Sequence, residues 1–171
     1  MSVVRFETLP DDARLWCFGA DRTLTEAEVG RLREDLRALL ETWAAHGTDL
    51  TAGFDIREDR FLLVAVDESR AGASGCSIDG LVRRLKTLEV ELGVGLVDAQ
   101  GVWYRGADGS VRSCSRTDFR GLADRGEVGG ATRVFDLSLT RLGNARAGGF
   151  EARASDTWHA GLLQAVAEDP A

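Results

Sequence analysis

Leu50-Thr51-Ala52-Gly53-Phe54-Asp55-Ile56-Arg57-Glu58-Asp59-Arg60-Phe61-Leu62-Leu63-Val64-Ala65-Val66 is the stretch on which the fold turns. Leu50, Ala52, Phe54 and Ile56 alternate with Thr51, Gly53, Asp55 and Arg57, the period of a strand with one wet face. Phe61 to Val66 is continuously apolar, as a central strand buried on both faces must be. Glu58 and Asp59 leave room only for a tight connection, so the two strands are expected to form a hairpin.

Working outward, Leu15 to Phe18 is a short apolar segment and reads as a strand. Thr25 and Glu28 form a capping-box pair at the start of a helix. Val29, Leu32, Leu36, Leu39, Leu40 and Trp43 follow at helical spacing, with Gly47 as the expected stop and His46 in the polar end of the helix. A small-residue loop, Ser69 to Gly75, leads to a second helix whose inner face is Ile78, Leu81, Val82, Leu85, Leu88 and Leu92, ended by Gly93. With a further strand at Val94–Val97, Val102–Tyr104 or both, the order predicts an α+β fold whose first part is a ferredoxin-like βαββαβ sheet.

A C-terminal hairpin-helix-strand-helix extension follows. Gly106-Ala107-Asp108-Gly109 is the turn between Val102–Arg105 and Val111–Cys114. Ser115 caps a short helix with Asp118 at its third position and Phe119 and Leu122 inward, ending at Gly126. Val134 to Leu139 reads as a strand, Gly143 to Gly149 as loose, and Ser155 through Trp158, Leu162 and Val166 as a last helix. Residues 1–171 are expected to form a single domain, with a core over 1–100 and a C-terminal part over 101–171 packed on it.

The chain of 171 residues has a formal net charge of −7, and Lys86 is its only lysine. That balance argues against a nucleic-acid partner, which needs clustered basic residues. No apolar run approaches the length of a membrane span, and Met1 to Pro10 carries no apolar stretch, so a cytoplasmic protein without a membrane partner is expected. Cys17, Cys76 and Cys114 offer neither a disulfide framework nor a CxxC motif. With only His46 and His159, no multi-histidine metal site is available, and no cofactor is expected. Walker lysine, GxGxxG, HExxH and GxSxG motifs are all missing.

Chemistry-bearing residues gather in Asp67-Glu68-Ser69-Arg70-Ala71-Gly72-Ala73-Ser74-Gly75-Cys76-Ser77-Ile78-Asp79, between the central strand and the second helix. Backbone N–H groups and a helix N-terminus there suit an anion or a thiolate. Cys76 is the candidate nucleophile, with Asp67 or His159 as acid–base group and Glu68, Ser74, Gly75, Ser77 and Asp79 as ligand contacts. The plainer account is that Cys76 packs, Ser74 and Ser77 cap, and the glycines turn. Trp103 and Tyr104, adjacent on one strand, point to opposite faces; with Phe135 they are the candidate interaction surface.

Asp67-Glu68-Ser69, Ser74-Gly75-Cys76-Ser77-Ile78-Asp79, Val134-Phe135-Asp136-Leu137 and Thr157-Trp158-His159 together resemble a small uncharacterised bacterial family often labelled as ABC-transporter ATPases. The label implies nucleotide hydrolysis, which a chain without a Walker lysine does not support. Over residues 102–158, Trp103-Tyr104-Arg105, Ser115, Asp118-Phe119, Leu122, Gly126, Thr132 and Val134-Phe135 look like a GYF-like module, with Arg112-Ser113 in place of its Gly-Pro and Phe135 in place of a tryptophan. That resemblance implies an adaptor binding proline-rich peptides or partner chains. Two function classes follow: a non-catalytic binding or interaction protein with an unknown protein or small-molecule partner, and an anion-binding or thiol-dependent protein centred on Gly72–Asp79.

Overall fold

The apolar run becomes strand β5 of a computed structural model that describes residues 3–97 and 100–163. The fold is mixed helix and sheet and divides into two compact units, Met1–Ala99 with Leu137–Ala147 and Gln100–Asp136 with Gly148–Ala171.

In the first unit the elements run β1 (Arg14–Gly19), α1 (Glu26–Glu41), β2 (Ala44–Ala45), β3 (Thr48–Asp49), β4 (Thr51–Arg57), β5 (Phe61–Asp67) and α2 (Gly75–Leu92). β5 lies between β1 and β4 and is antiparallel to both, with Val64 opposite Trp16 on one side and Phe54 on the other. Phe61 to Val66 are all buried, which is why this strand has no polar alternation. Leu62, Val64 and Val66 pack with Leu32, Leu36 and Leu40 of α1 and Leu81, Leu85 and Leu88 of α2 in one apolar cluster. The Thr25–Glu28 capping box and the left-handed Gly93 cap form as the sequence implies.

Two expectations fail here. α1 ends at Glu41, and His46 and Gly47, with φ of 51° and 80°, are the two tip residues of the β2–β3 hairpin. Positive φ at both positions is what a two-residue turn of that kind demands. Trp43, beyond the helix, is held by donating from Nε1 to the Ser77 carbonyl at 2.8 Å. The ferredoxin-like βαββαβ sheet is also not completed. β1, β5 and β4 pair antiparallel in that order, and no fourth strand joins β1 among the described residues. Residues 94–97 add no strand, because Glu89 Oε1 accepts from the backbone N–H of both Leu96 and Val97, at 2.6 and 2.7 Å.

Both edges of the three-stranded sheet are covered by chain from the same unit. Val3 bridges to Ala52 and the Val4 N–H donates to the Ala52 carbonyl, 2.8 Å, along β4. At β1 the Leu15 N–H donates to Thr140 O, and Leu142 and Gly143 donate to Ala13 and Asp11. Such cover removes the sites at which a foreign strand would add. Gly53 permits the first contact, since a Cβ there would lie 2.8 Å from the Val4 carbonyl oxygen. Gly53→Ala is expected to cost about 1–3 kcal/mol by forcing the N-terminal segment off β4; faster amide exchange at Val4 with unchanged exchange in β5 is the measurement that checks it.

The second unit runs β6 (Gly101–Arg105), β7 (Val111–Ser115), α3 (Arg116–Asp124), β8 (Arg133–Phe135) and β9 (Glu151–Arg153), in an antiparallel sheet of order β7-β6-β8-β9. The Gly106–Gly109 turn forms, with Gly109 at φ 81°. Ser115 caps α3 by accepting from the Asp118 N–H, 3.0 Å. Val102, Tyr104, Phe119, Val134, Ala154 and Leu162 make the core.

The expected strand Val134–Leu139 stops at Phe135, since the chain passes into the first unit at Leu137. β9 was not anticipated. The expected last helix is instead a tight turn, Ala154–Asp156, an extended Thr157 (φ −127°, ψ 177°) and a short helix, Ala160–Leu163; Val166 lies outside the described residues. Thr157 breaks the helix because its hydroxyl bonds locally, accepting from the His159 N–H at 3.3 Å. No helix among the described residues is long and apolar enough to cross a membrane.

Candidate functional site

The loop from Asp67 to Asp79 closes on itself. Asp67 Oδ1 accepts from the Ser69 N–H, 2.9 Å, in a side-chain turn. Glu68 Oε1 accepts from the Ala73 N–H at 3.3 Å and lies 3.7 Å from the Arg14 guanidinium. Ser74 is the N-cap of α2: its Oγ accepts from the Ser77 N–H at 3.2 Å, and the Ser77 hydroxyl donates to the Ser74 carbonyl at 2.8 Å. Donors that were candidates to cradle an anion are therefore used to build the turn. Gly75 and Cys76 are exposed in the first turn of the helix and Asp79 just beyond it. Asp67 and Cys76 belong to the first unit and His159 to the second.

His159 is fully buried in the second unit, with Nδ1 2.8 Å from Thr157 Oγ1 and its ring stacked on Trp158 at 3.9 Å. The Phe119 ring meets its edge at 6.3 Å. Its Nε2 has no hydrogen-bond partner. Burial pushes its pKa down to about 4; the negative charge of Asp136 opposes the shift and the positive charge of Arg116 reinforces it. A residue so enclosed is placed for packing and not to take a proton from an exposed thiol.

The three candidate interaction aromatics are also buried: Trp103 at 4%, Tyr104 at 8% and Phe135 at 2% exposure. Phe135 pairs with Phe150, and the Arg105 guanidinium covers its face at 5.3 Å. They form the core of the unit and present no aromatic platform. Trp158 is the exposed aromatic, at 37%, capped by the Arg116 guanidinium at 4.8 Å and donating from Nε1 to Asp136 Oδ1 at 3.2 Å.

Tyr104 nevertheless reaches a cavity of about 670 Å³ in the second unit, whose lining includes Tyr104, Arg105, Arg112, Leu122, Val128 and Arg133. The β6–β7 register sets Arg112 opposite Tyr104, so both side chains leave the same face of the sheet. Burial raises the Tyr104 pKa, and Cys114 adds to the shift while Arg112 opposes it, so the phenol remains a neutral donor. Leu122, at the end of α3, and Val128 supply apolar wall. Arg105 makes a two-point pair with Glu151 at 2.8 and 2.9 Å, which holds the rim rigid.

Sequence reasoning passed over this cavity, although a signal was present. Once Gly106–Gly109 is placed as the turn, pairing outward from it puts Arg105 opposite Val111 and Arg112 opposite Tyr104. Among the described residues no group of three or more His, Cys, Asp or Glu is arranged to hold a metal ion. Comparison with protein-family models, with curated proteins and with solved structures finds no match for this chain.

Proposed function

We propose that the protein is a non-catalytic, cytoplasmic binding protein and that its ligand enters the cavity of the second unit. The observation that carries this reading is the cavity itself. Its volume lies within the range of small-molecule and peptide-anchor sites, and it combines an apolar wall with convergent polar groups on a regular hairpin. Membership in the uncharacterised bacterial family, and a GYF-like character of residues 102–158, belong to the same proposal. The strand–helix–strand order of β7, α3 and β8 supports the second resemblance in shape. Recognition through an exposed aromatic surface is not part of it, since Trp103 and Phe135 are core.

The competing site, Gly72–Asp79, gains accessibility from the exposed Cys76 but spends its loop donors internally. A fragment screen followed by amide chemical shifts separates the two. Binders are expected to move Tyr104–Ala107 and Ala131–Arg133. Shifts confined to Ser74–Asp79 would transfer the site to the loop and overturn this reading.

A further inference from the structure

Charge distinguishes the second unit's cavity from two others on the molecule. The hollow along α1 sets Arg33 and Arg37 against Glu34 and Glu41. A groove beside the N-terminal segment sets Arg5, Arg33 and Arg37 against Glu7, Glu41 and Asp55. Both balance. The cavity at Tyr104 has Arg105, Arg112 and Arg133 in its lining and one carboxylate, Glu127. Glu127 is already engaged, accepting from Arg125 Nε at 2.6 Å.

Arg133 is the guanidinium with charge to spare. Its nearest carboxylate, Glu151, gives both oxygens to Arg105 and approaches Arg133 Nε only to 3.7 Å. Arg133 instead donates from Nη2 to the Glu151 carbonyl at 2.6 Å. Arg112 is compensated by Asp108, at 3.1 Å. One positive charge is therefore left weakly countered in a chain whose net charge is −7. A single negative charge restores balance, and two would exceed it. The flat fork of a guanidinium also matches a carboxylate, which accepts two parallel N–H bonds in one plane.

We propose that the cavity takes a ligand with an apolar body and one carboxylate, the carboxylate held by Arg133 with Arg112 beside it and the body laid against Leu122 and Val128. This rests on the reading of the cavity as the binding site and adds the chemical class of what binds there.

Phenylacetate, phenylacetamide and phenyl phosphate are matched probes for the test, titrated into the full chain and followed by amide chemical shifts. Phenylacetate is expected to move Tyr104–Ala107 and Ala131–Arg133 and to bind on the order of tenfold more tightly than the amide. Arg133→Gln, a half-exposed position where folding is not at stake, is expected to erase that preference, and Arg112→Gln to reduce it. Arg120→Gln, on α3 outside the lining, is expected to leave it intact. Equal binding of phenylacetamide at the same residues would overturn the carboxylate inference and leave the cavity reading standing. Tighter binding of phenyl phosphate would overturn the choice of a single charge. If no probe moves these amides, both readings fall.

Discussion

Lowering the pH from 7 to 4.5 is expected to destabilise the second unit through His159, ahead of general acid unfolding. The folded unit keeps this imidazole neutral, with its pKa pushed down to about 4, while in the unfolded chain it titrates near its ordinary 6.5. The unfolded state therefore binds the proton first. The stabilising contribution is complete above the unfolded pKa and is lost as the pH falls from there through the folded value. The gap corresponds to about 3 kcal/mol once both limits are passed, most of it lost by pH 4.5.

The groups facing the ring argue for the same outcome. Thr157 engages Nδ1, Arg116 repels an added proton, and Asp136 is the one negative charge that opposes the shift. Asp136 also accepts from Trp158. His159→Leu keeps an apolar filling and removes the titration. Urea unfolding of both proteins at a series of pH values, followed by fluorescence of Trp158 and its fellow indoles, is the measurement. Wild type should lose stability relative to the variant between pH 6.5 and 4.5. Parallel profiles over that interval would show that the imidazole is not held neutral. Glu28 and Asp108, each lowered to about 2 by hydrogen bonds and arginine neighbours, contribute further down the scale and equally in both proteins.

Replacing Arg146 is expected to loosen the first unit by about 2–3 kcal/mol, a large share of a domain's net stability. Its guanidinium donates to the Leu9 carbonyl at 2.8 Å, to Asp11 Oδ1 at 2.6 Å, and to the Phe6 and Glu7 carbonyls at 3.2 Å each. One side chain thus gathers the carbonyls of Phe6, Glu7 and Leu9 around the N-terminal turn, Phe6–Thr8, where the Phe6 carbonyl also accepts from the Leu9 N–H. Arg146→Met preserves most of the aliphatic stem and removes every donor. Arg146→Lys keeps the charge but not the fork, and should fall between wild type and Met. Denaturation midpoints together with amide exchange over Phe6–Ala13 report the effect. A loss below about 0.5 kcal/mol in the Met variant, in line with an ordinary surface position, would mean that the turn holds without this clamp.

How much of this was legible in the residues depended on whether the determining interaction was local. The β4–β5 hairpin, both long helices with the Thr25 capping box and the Gly93 cap, the β6–β7 turn and α3 all follow from local patterns, and all formed. Errors arose where a distant or side-chain partner decided. Leu96 and Val97 have strand composition, but the side chain of Glu89, seven and eight residues earlier, takes their donors. His46-Gly47 looked like a helix stop because a single glycine ends helices and makes hairpins alike. Gly143 to Gly149 looked loose because the acceptors of Arg146 lie at the other end of the sequence. For the candidate site the failure was of kind. Cysteine, serine and glycine drew attention to Gly72–Asp79, where they serve as turn and cap. Arginines scattered over 105, 112 and 133 meet only when a hairpin and a third strand assemble.

The alternation of the two units along the chain has a consequence for biosynthesis. The polypeptide writes the first unit to residue 99, turns to the second, and returns with Leu137–Ala147 to finish what it began. Until those residues leave the ribosome, the outer edge of β1 has no Thr140 carbonyl to receive the Leu15 N–H, and the N-terminal turn has no Arg146. A nascent chain stalled between the two visits would present an open strand edge beside a finished hydrophobic face, the combination that invites capture by a chaperone or by another nascent chain. Neither unit can be expressed as one uninterrupted segment, so dissection of this protein calls for rejoined pieces in place of simple truncation.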